Sequence, residues 1–411
     1  MIRFVPGDHR LAALLADAST VLVQGCTGAS DLLAAEVMSA GDAIGAVGFT
    51  GIQLPGVNRA SWLANPRCRF TTYFMTPELK AAGAQVVFLP INYSAILDRL
   101  RRTKIDAAIF QVSPPDATGL CSFGPTVDFL AELWPQVGVR IAQINPNLPR
   151  TAGPTGIPLR EIHYAVEAAT PIVEAPDPAP DPVSTAIAAH LAPFVGDGAT
   201  LQAGLGKLPG TILRSLADRR RLRVHSGLIG DGVLDLLEAG AIEGGAHITA
   251  GVAVGSTRLY DALPGSGIVF RPVSYTHALP VLAALPNFVA INSALDVDLF
   301  GQAYAEVGPG GWASGTGGAG DFARGALAAG GLRVVTLPST AKGSSRIIVP
   351  GAGRGPVSLG RADIDIVVTE HGAADLRGRS YDDRAAALIT IAAPDHREEL
   401  ARAWRDEPGR F

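Results

Sequence analysis

The sequence predicts an α/β protein arranged as two tandem open α/β domains, on three observations. Short apolar runs with strand character alternate with helical patterns along the chain. Each half opens with the same order of apolar strand, glycine loop and apolar helix: TVLVQGCTGASDLLAAEVM at 20–38 and ATLQAGLGKLPGTILRSLA at 199–217. Between the halves lies EAPDPAPDPVS, 174–184, whose four prolines spaced by acids fit neither a helix interior nor a central strand. The expected domains are therefore 1–175 and 186–411, joined by an extended linker over 174–185. A chain of 411 residues exceeds one ordinary core, which agrees with two domains.

Taken in order, the strand patterns are 83–90 (GAQVVFLP), 106–113 (DAAIFQVS), 138–145 (GVRIAQIN), 332–338 (LRVVTLP) and 363–370 (DIDIVVTE). Such apolar runs suit strands covered on both faces. The stretch VHSGLIGDGVLDLLEAGAI, 224–242, reads as a strand end, a glycine-rich turn and an amphipathic helix, with His225, Ser226 and Asp231 at the turn. Asp382 and Asp383 precede an apolar stripe and suit the first turn of a helix. In open sheets of this kind ligands bind at the carboxyl ends of the strands, where the glycine loops lie.

Composition excludes several function classes. The net charge is −4, and the basic runs at 99–104 and 219–223 read as solvated helix ends, so no nucleic-acid partner is expected. Cys26, Cys68 and Cys121 form no CxxC pair, which fits a reducing cytoplasm and gives no zinc signature or other metal site. No signal-peptide core and no long uninterrupted apolar run appears, so neither export nor a membrane span is expected. GxSxG, HExxH and P-loop patterns are absent.

Three glycine loops could hold a ligand. Gln202–Gly210 follows a strand and opens a helix, offering free N–H groups to an anion or oxyanion. A dinucleotide site is disfavoured there. The spacing is GxGxxxG, and the next strand pattern ends at His225 without the acid that holds a ribose. Trp312–Phe322 is either a surface loop or a loop whose amides face a thioester or phosphate, with a helix expected from about Ala323. Leu337–Arg346 places Lys342 and Arg346 among hydroxyls, suited to phosphates or equally to a polar surface turn. Cys26 lies in the first glycine loop, where a small buried apolar role outweighs a reactive thiolate.

Several stretches together resemble the acetyl-CoA hydrolase/transferase family, which includes 4-hydroxybutyrate CoA-transferases. They are FTGIQLPGVNR (49–59), VSPPDATGLCSFGPTVDF (112–129), INPNLPRTAG (144–153), LQAGLGKLPG, HSGLIGDGVLDLLEAGAI, INSALDVDLFGQAYAE (291–306), SGTGGAGDF, LPSTAKGSSRIIVP and DIVVTEHGAADLRG. The resemblance implies two α/β domains of the CoA-transferase type and a homodimer or dimer of dimers. It implies a ping-pong reaction in which a glutamate takes up the acyl group and then CoA. Coenzyme A would be part of the substrate, with no covalently bound cofactor and a small acid or other acceptor as partner. By the same resemblance Gln202, Gly204 and Gly206 form the CoA and oxyanion loop. Asn292 contacts pantetheine or substrate, Gly317 and Gly318 cover the thioester, and Lys342 lies near CoA.

The sequence departs from that pattern where the chemistry is done. The family's nucleophilic glutamate follows a His-Ser pair, and here Gly227 follows His225-Ser226. The first loop reads Gly28-Ala29-Ser30 in place of Gly-Glu-Pro, and Ala319 stands where a glutamine is usual. The expected activity is therefore on the acyl-CoA thioester without a glutamyl-CoA intermediate: hydrolysis, β-keto C–C cleavage or acyl transfer. A general base titrating near neutrality is expected among His225, His277, Asp231 and Glu306, with His277 foremost. Ser226 completes the catalytic candidates, and Gly227 is expected to leave room for an acyl group larger than acetyl. The alternatives are a CoA-transferase that uses a substitute carboxylate, and a non-catalytic acyl-CoA-binding protein.

Overall fold

The computed structural model describes residues 1–5, 7, 10–16 and 18–407; the remaining positions of the expected ranges 1–175 and 186–411 lie outside the described residues. The chain forms two compact units. The first comprises Met1–Ala175, Thr249–Thr276 and Ala313–Gly317, and the second Pro176–Ile248, His277–Trp312 and Gly318–Phe411.

The first unit is built on a parallel sheet in the order Ile2–Arg3, Tyr164–Glu167, Val139–Ile144, Ala107–Val112, Val21–Val23, Gly48–Gly51, Arg69–Thr72, Val86–Phe88. Every residue of Ala107–Val112 is buried, which is why the sequence there is almost unbroken apolar. The run 83–90 is a strand only over Val86–Phe88. Gly83–Gln85 coils into a single tight turn because Gly83 takes φ +55°. Ser30 caps helix Asp31–Ser39 by accepting the Leu33 N–H, and its hydroxyl donates to Gln143 Oε1 at 2.6 Å. Leu33 and Val37 of that helix join Phe49, Trp62 and Phe70 in the core.

In the second unit the parallel strands run in the order Arg223–Ile229, Thr200–Gln202, Phe288–Ser293, Leu332–Thr336, Ile366–Thr369, and Gly372–Asp375 adds an antiparallel edge. Strand Thr200–Gln202, the glycine loop and helix Lys207–Ser215 repeat the order seen at Val21–Val23 and Asp31–Ser39, as the sequence predicts. Ser380 caps Tyr381–Thr390, and Asp382 and Asp383 fall in its first turn. Among the described residues no helix is long and apolar enough to cross a membrane.

The proline-rich stretch differs from its expected form in two ways. It is extended only as far as Asp181, because Pro182 opens helix Pro182–Leu191. Proline suits a first helical position, and Asp181 and Ser184 form a reciprocal capping box. Asp177 is also no solvated linker acid. Its side chain is 5% exposed and lies 3.9 Å from Arg214 Nη1.

Asp106 ties together the starts of two neighbouring strands of the first unit. Its Oδ2 accepts the Ser19 and Thr20 N–H groups and the Ser19 hydroxyl, while Oδ1 meets Lys104 at 2.9 Å. Lys104 and then Ser19 hold its carboxyl down to about 2. Asp106→Asn is expected to cost about 1 kcal/mol at pH 7 after solvent screening. The carboxylate's contribution is present above its unfolded pKa of about 4 and is lost as pH falls towards 2. Urea unfolding of both proteins across that range should show the difference closing.

Candidate functional site

Strand Arg223–Ile229 carries the residues that raise the chemical question. His225 and Ser226 lie within this strand rather than at a turn, and the break comes at Gly230, which caps helix Asp231–Glu238. The strand runs through Gly227 to Ile229, so the glycine does not end it. Ser226 Oγ lies 3.0 Å from Ala203 O and 2.7 Å from Leu228 O, and it also accepts the Leu228 N–H. Its hydroxyl thus clasps the strand to the adjacent glycine loop. Asp231 is the first residue of the helix, and its Oδ2 accepts the Asp177 N–H at 3.3 Å.

His277 fills the space beside Gly227. A Cβ on residue 227 would lie 2.6 Å from His277 Cε1 and 2.9 Å from Nε2. A Cβ on Gly318 would lie 2.6 Å from Nε2 of the same ring. Phe322 closes the stack, its ring centroid 4.7 Å from the imidazole. The room expected at Gly227 is therefore taken up by a side chain of the chain itself. His277 is 4% exposed, and burial, then the neighbouring His225, push its pKa down to about 3. It is a neutral imidazole at physiological pH and not the expected base titrating near neutrality.

The loop at Gly204 and Gly206 also departs from expectation. Gly206 takes φ +105° to cap helix Lys207–Ser215. The anion at this helix start is the carboxylate of Asp177, which accepts the N–H groups of Gly206 and Gly232 and lies against Arg214. Burial holds the Asp177 carboxyl above its ordinary range despite those partners. Gln202 ends the preceding strand, with its buried Oε1 lacking a hydrogen-bond partner.

The other candidates divide among separate structural settings. Asn292 is half-buried in strand Phe288–Ser293, and its carbonyl accepts the Thr336 hydroxyl at 3.4 Å. Gly317, at φ +57°, belongs to the first unit, where its carbonyl accepts the Tyr93 N–H. Gly318 caps helix Ala319–Ala328, which starts before the expected Ala323. Glu306 is 1% exposed. Its Oε1 accepts the Ser358 hydroxyl at 2.8 Å, and its Oε2 has no partner. Burial raises its pKa against the pull of Ser358.

Lys342 and Gly343, at φ +50° and +81°, turn the hairpin between Thr340–Ala341 and Ser344–Ser345. The turn borders a cleft of about 540 Å³ that also presents Arg346, Arg354 and Asp296. Arg346 is oriented by donating Nη1 to Leu295 O at 2.7 Å. Sequence reasoning missed Arg354, a lone cation in a glycine-rich stretch with no motif around it. Among the described residues no cluster of His, Cys, Asp or Glu could hold a metal ion.

The model of the acetyl-CoA hydrolase/transferase C-terminal domain matches residues 255–404. The chain is 38% identical over 315 residues to the 4-hydroxybutyrate coenzyme A transferase of Clostridium kluyveri, covering 74% of this chain and 73% of that protein. It is 34% identical over 369 residues to the succinyl-CoA:cyclohexane-1-carboxylate CoA transferase of Geobacter metallireducens, covering 87% and 82%. Among solved structures, RipA from Yersinia pestis superposes with TM-score 0.86 at 27% identity, covering 98% of this chain and 97% of that one. The 4-hydroxybutyrate CoA-transferase of Porphyromonas gingivalis gives 0.80 at 28% identity, covering 97% and 96%.

The contact between Gly227 and His277 yields a test by double-mutant cycle. In the wild-type background Gly227→Ala should destabilise by about 1–3 kcal/mol through overpacking against the ring. With His277→Ala already in place, the same change should be neutral or slightly stabilising, since alanine is ordinarily favoured over glycine in a strand. Equal costs in both backgrounds would show that the ring yields freely.

Proposed function

Because the chain belongs to the acetyl-CoA hydrolase/transferase family, we propose that it processes acyl-CoA thioesters without a glutamyl-CoA intermediate. The reaction is hydrolysis, C–C cleavage of a β-keto thioester, or acyl transfer to an acceptor other than a carboxylate. The observation that carries this reading is the imidazole of His277, packed where any side chain on residue 227 would have to begin. The fold supports a neutral ring at that place, not a nucleophilic carboxylate.

A neutral imidazole has one N–H to donate and no charge to neutralise. Such a group suits the surroundings of a thioester oxygen that gains negative charge as the carbonyl is attacked, because it is polar, uncharged and shielded from water. Lys342, Arg346 and Arg354 supply the cations for the phosphates of CoA, and Arg346 is held in place by its bond to Leu295 O. Asn292, Gln202, Gly204 and Gly318 are the proposed contacts to the rest of the thioester. At Gly206 the N–H already serves Asp177, so that loop contributes close backbone approach more than anion binding. A cytoplasmic homodimer or dimer of dimers belongs to the same proposal.

Glu306 favours a second reading, a CoA-transferase with a substitute carboxylate. It is a buried acid with one oxygen held by Ser358 and the other without a partner.

A panel of acyl-CoA substrates, including β-keto thioesters, separates these readings when free CoA is followed with and without acetate. Release without acetate, giving hydrolysed or shortened acids by mass spectrometry, is the expected result. Turnover only with acetate, together with CoA bound covalently to Glu306, would overturn it in favour of the transferase. Binding without turnover would make the protein an acyl-CoA-binding one. Under the first outcome His277→Ala should lower kcat by about 10²-fold. His277 should place no bend in the pH–rate profile between pH 5 and 8, since it stays neutral throughout.

A further inference from the structure

The first unit contains a second buried polar centre, on which the chemistry at Gly227 makes no demand. The loop after strand Val21–Val23 and the segment before helix Leu130–Leu133 border a cavity of about 20 Å³. A water needs roughly 10–15 Å³, so the space fits one oxygen-sized guest. Gln24, Gly25, Gly51, Ile52, Asp128 and Phe129 are among its walls. Gln24 is 6% exposed and donates Nε2 to Thr126 O at 2.7 Å, while its Oε1 has no partner.

The backbone around this cavity is held in costly conformations. Asp128 takes φ +37° and Cys26 takes φ +50°, both in the left-handed region that favours glycine. Asn58 fixes Cys26 by accepting its N–H at 2.8 Å and donating to its carbonyl at 3.0 Å. Asp128 is held by its N–H bond to Gly251 O and by the Val273 N–H on its own carbonyl. Strain of this kind persists where the surroundings over-determine a conformation, and it concentrates at functional sites.

We propose that this cavity seats one hydroxyl group, of water or of an alcohol, which accepts a hydrogen bond from a protonated Asp128 carboxyl and donates one to Gln24 Oε1. The two walls are complementary for that guest. Gln24 Oε1 can only accept, so the guest must carry a proton, and a carboxylate or phosphate is excluded. Burial pushes the Asp128 carboxyl up to about 8, so at neutral pH it is a donor. The titratable groups that feel its charge are Cys26 and Tyr93, each raised by burial first and by Asp128 second. Both stay uncharged at neutral pH, which leaves Asp128 as the group of this centre that changes state around pH 8.

Difference infrared spectroscopy of wild type against the isosteric Asp128→Asn isolates the carboxyl carbonyl stretch. The expected result is a protonated-carboxyl band at pH 7 that vanishes as pH rises through about 8. In Gln24→Leu the band should move, because the seated hydroxyl loses its acceptor. No band at pH 7, or a band unmoved by Gln24→Leu, overturns the proposal. Stability gives an independent reading. The folded protein retains a proton that the unfolded chain releases near pH 4. Wild type should therefore lose stability relative to Asp128→Asn from about pH 4 to 8 and run parallel to it above, and parallel curves throughout overturn the assignment. Methanol that shifts the band identifies a seat open to an alcohol hydroxyl. A band indifferent to methanol identifies bound water, and either source upholds the seat. None of these readouts requires turnover, so they stand apart from the chemistry proposed at Gly227.

Discussion

A buried imidazole pressed between two glycines governs the chemistry open to the second unit. His277 meets Gly227 on one side, Gly318 on another and Phe322 on a third. Each contact removes water and none supplies an opposite charge, so the ring is stable only as the neutral species. The two glycines follow from the ring as much as the ring follows from them. A carboxylate projected from position 227 would need both the space and the hydration that the imidazole has displaced. The glycine at 227 therefore does not leave an empty space. A bulky ring lies directly beside it.

The charges of the second unit are arranged on a different plan from the one its glycine loops imply. Free N–H groups at a helix start ordinarily await an anion. Here Asp177, reached from the proline-rich stretch, already accepts two such groups, from Gly206 and Gly232. That carboxylate anchors the stretch to two helices at once. Side-chain cations gather elsewhere in the unit: Lys342, Arg346 and Arg354 share one cleft. Side chains can follow a flexible ligand in a way fixed backbone dipoles cannot, whereas the dipoles serve the fold.

The fold was legible because its signals are local. Strands such as Ala107–Val112 are buried on both faces and read as apolar runs, and the glycine loops mark the turns into helices. Pro182 was misread because proline excludes a helix interior but favours a helix start, and the difference lies in the cap formed by Asp181 and Ser184. At the site, the glycine at 227 was visible in the sequence, but the ring beside it was not. His277 lies fifty residues downstream, and nothing in the local pattern says which glycine its ring will cover. The pKa of that ring depends on burial, which no spacing encodes. Asp177 was hidden for a related reason, since acids between prolines look solvated until their partners are known.

His277, Asp128 and Glu306 share one electrostatic character. Each is buried, and in each burial favours the uncharged form. A site built for nucleophilic carboxylate chemistry needs the opposite, an ionised acid supported by donors or cations. Groups kept neutral in dry surroundings are suited to polarising an oxygen and holding a proton beside it, where a hydrogen bond is strongest and no counter-ion must be displaced. Glu306 shows how narrow the margin is. Its Ser358 bond favours the charged form while burial opposes it, so one more donor at Oε2 would pull further towards the charged form. Whatever approaches that oxygen therefore shifts the balance between proton and charge on a buried acid.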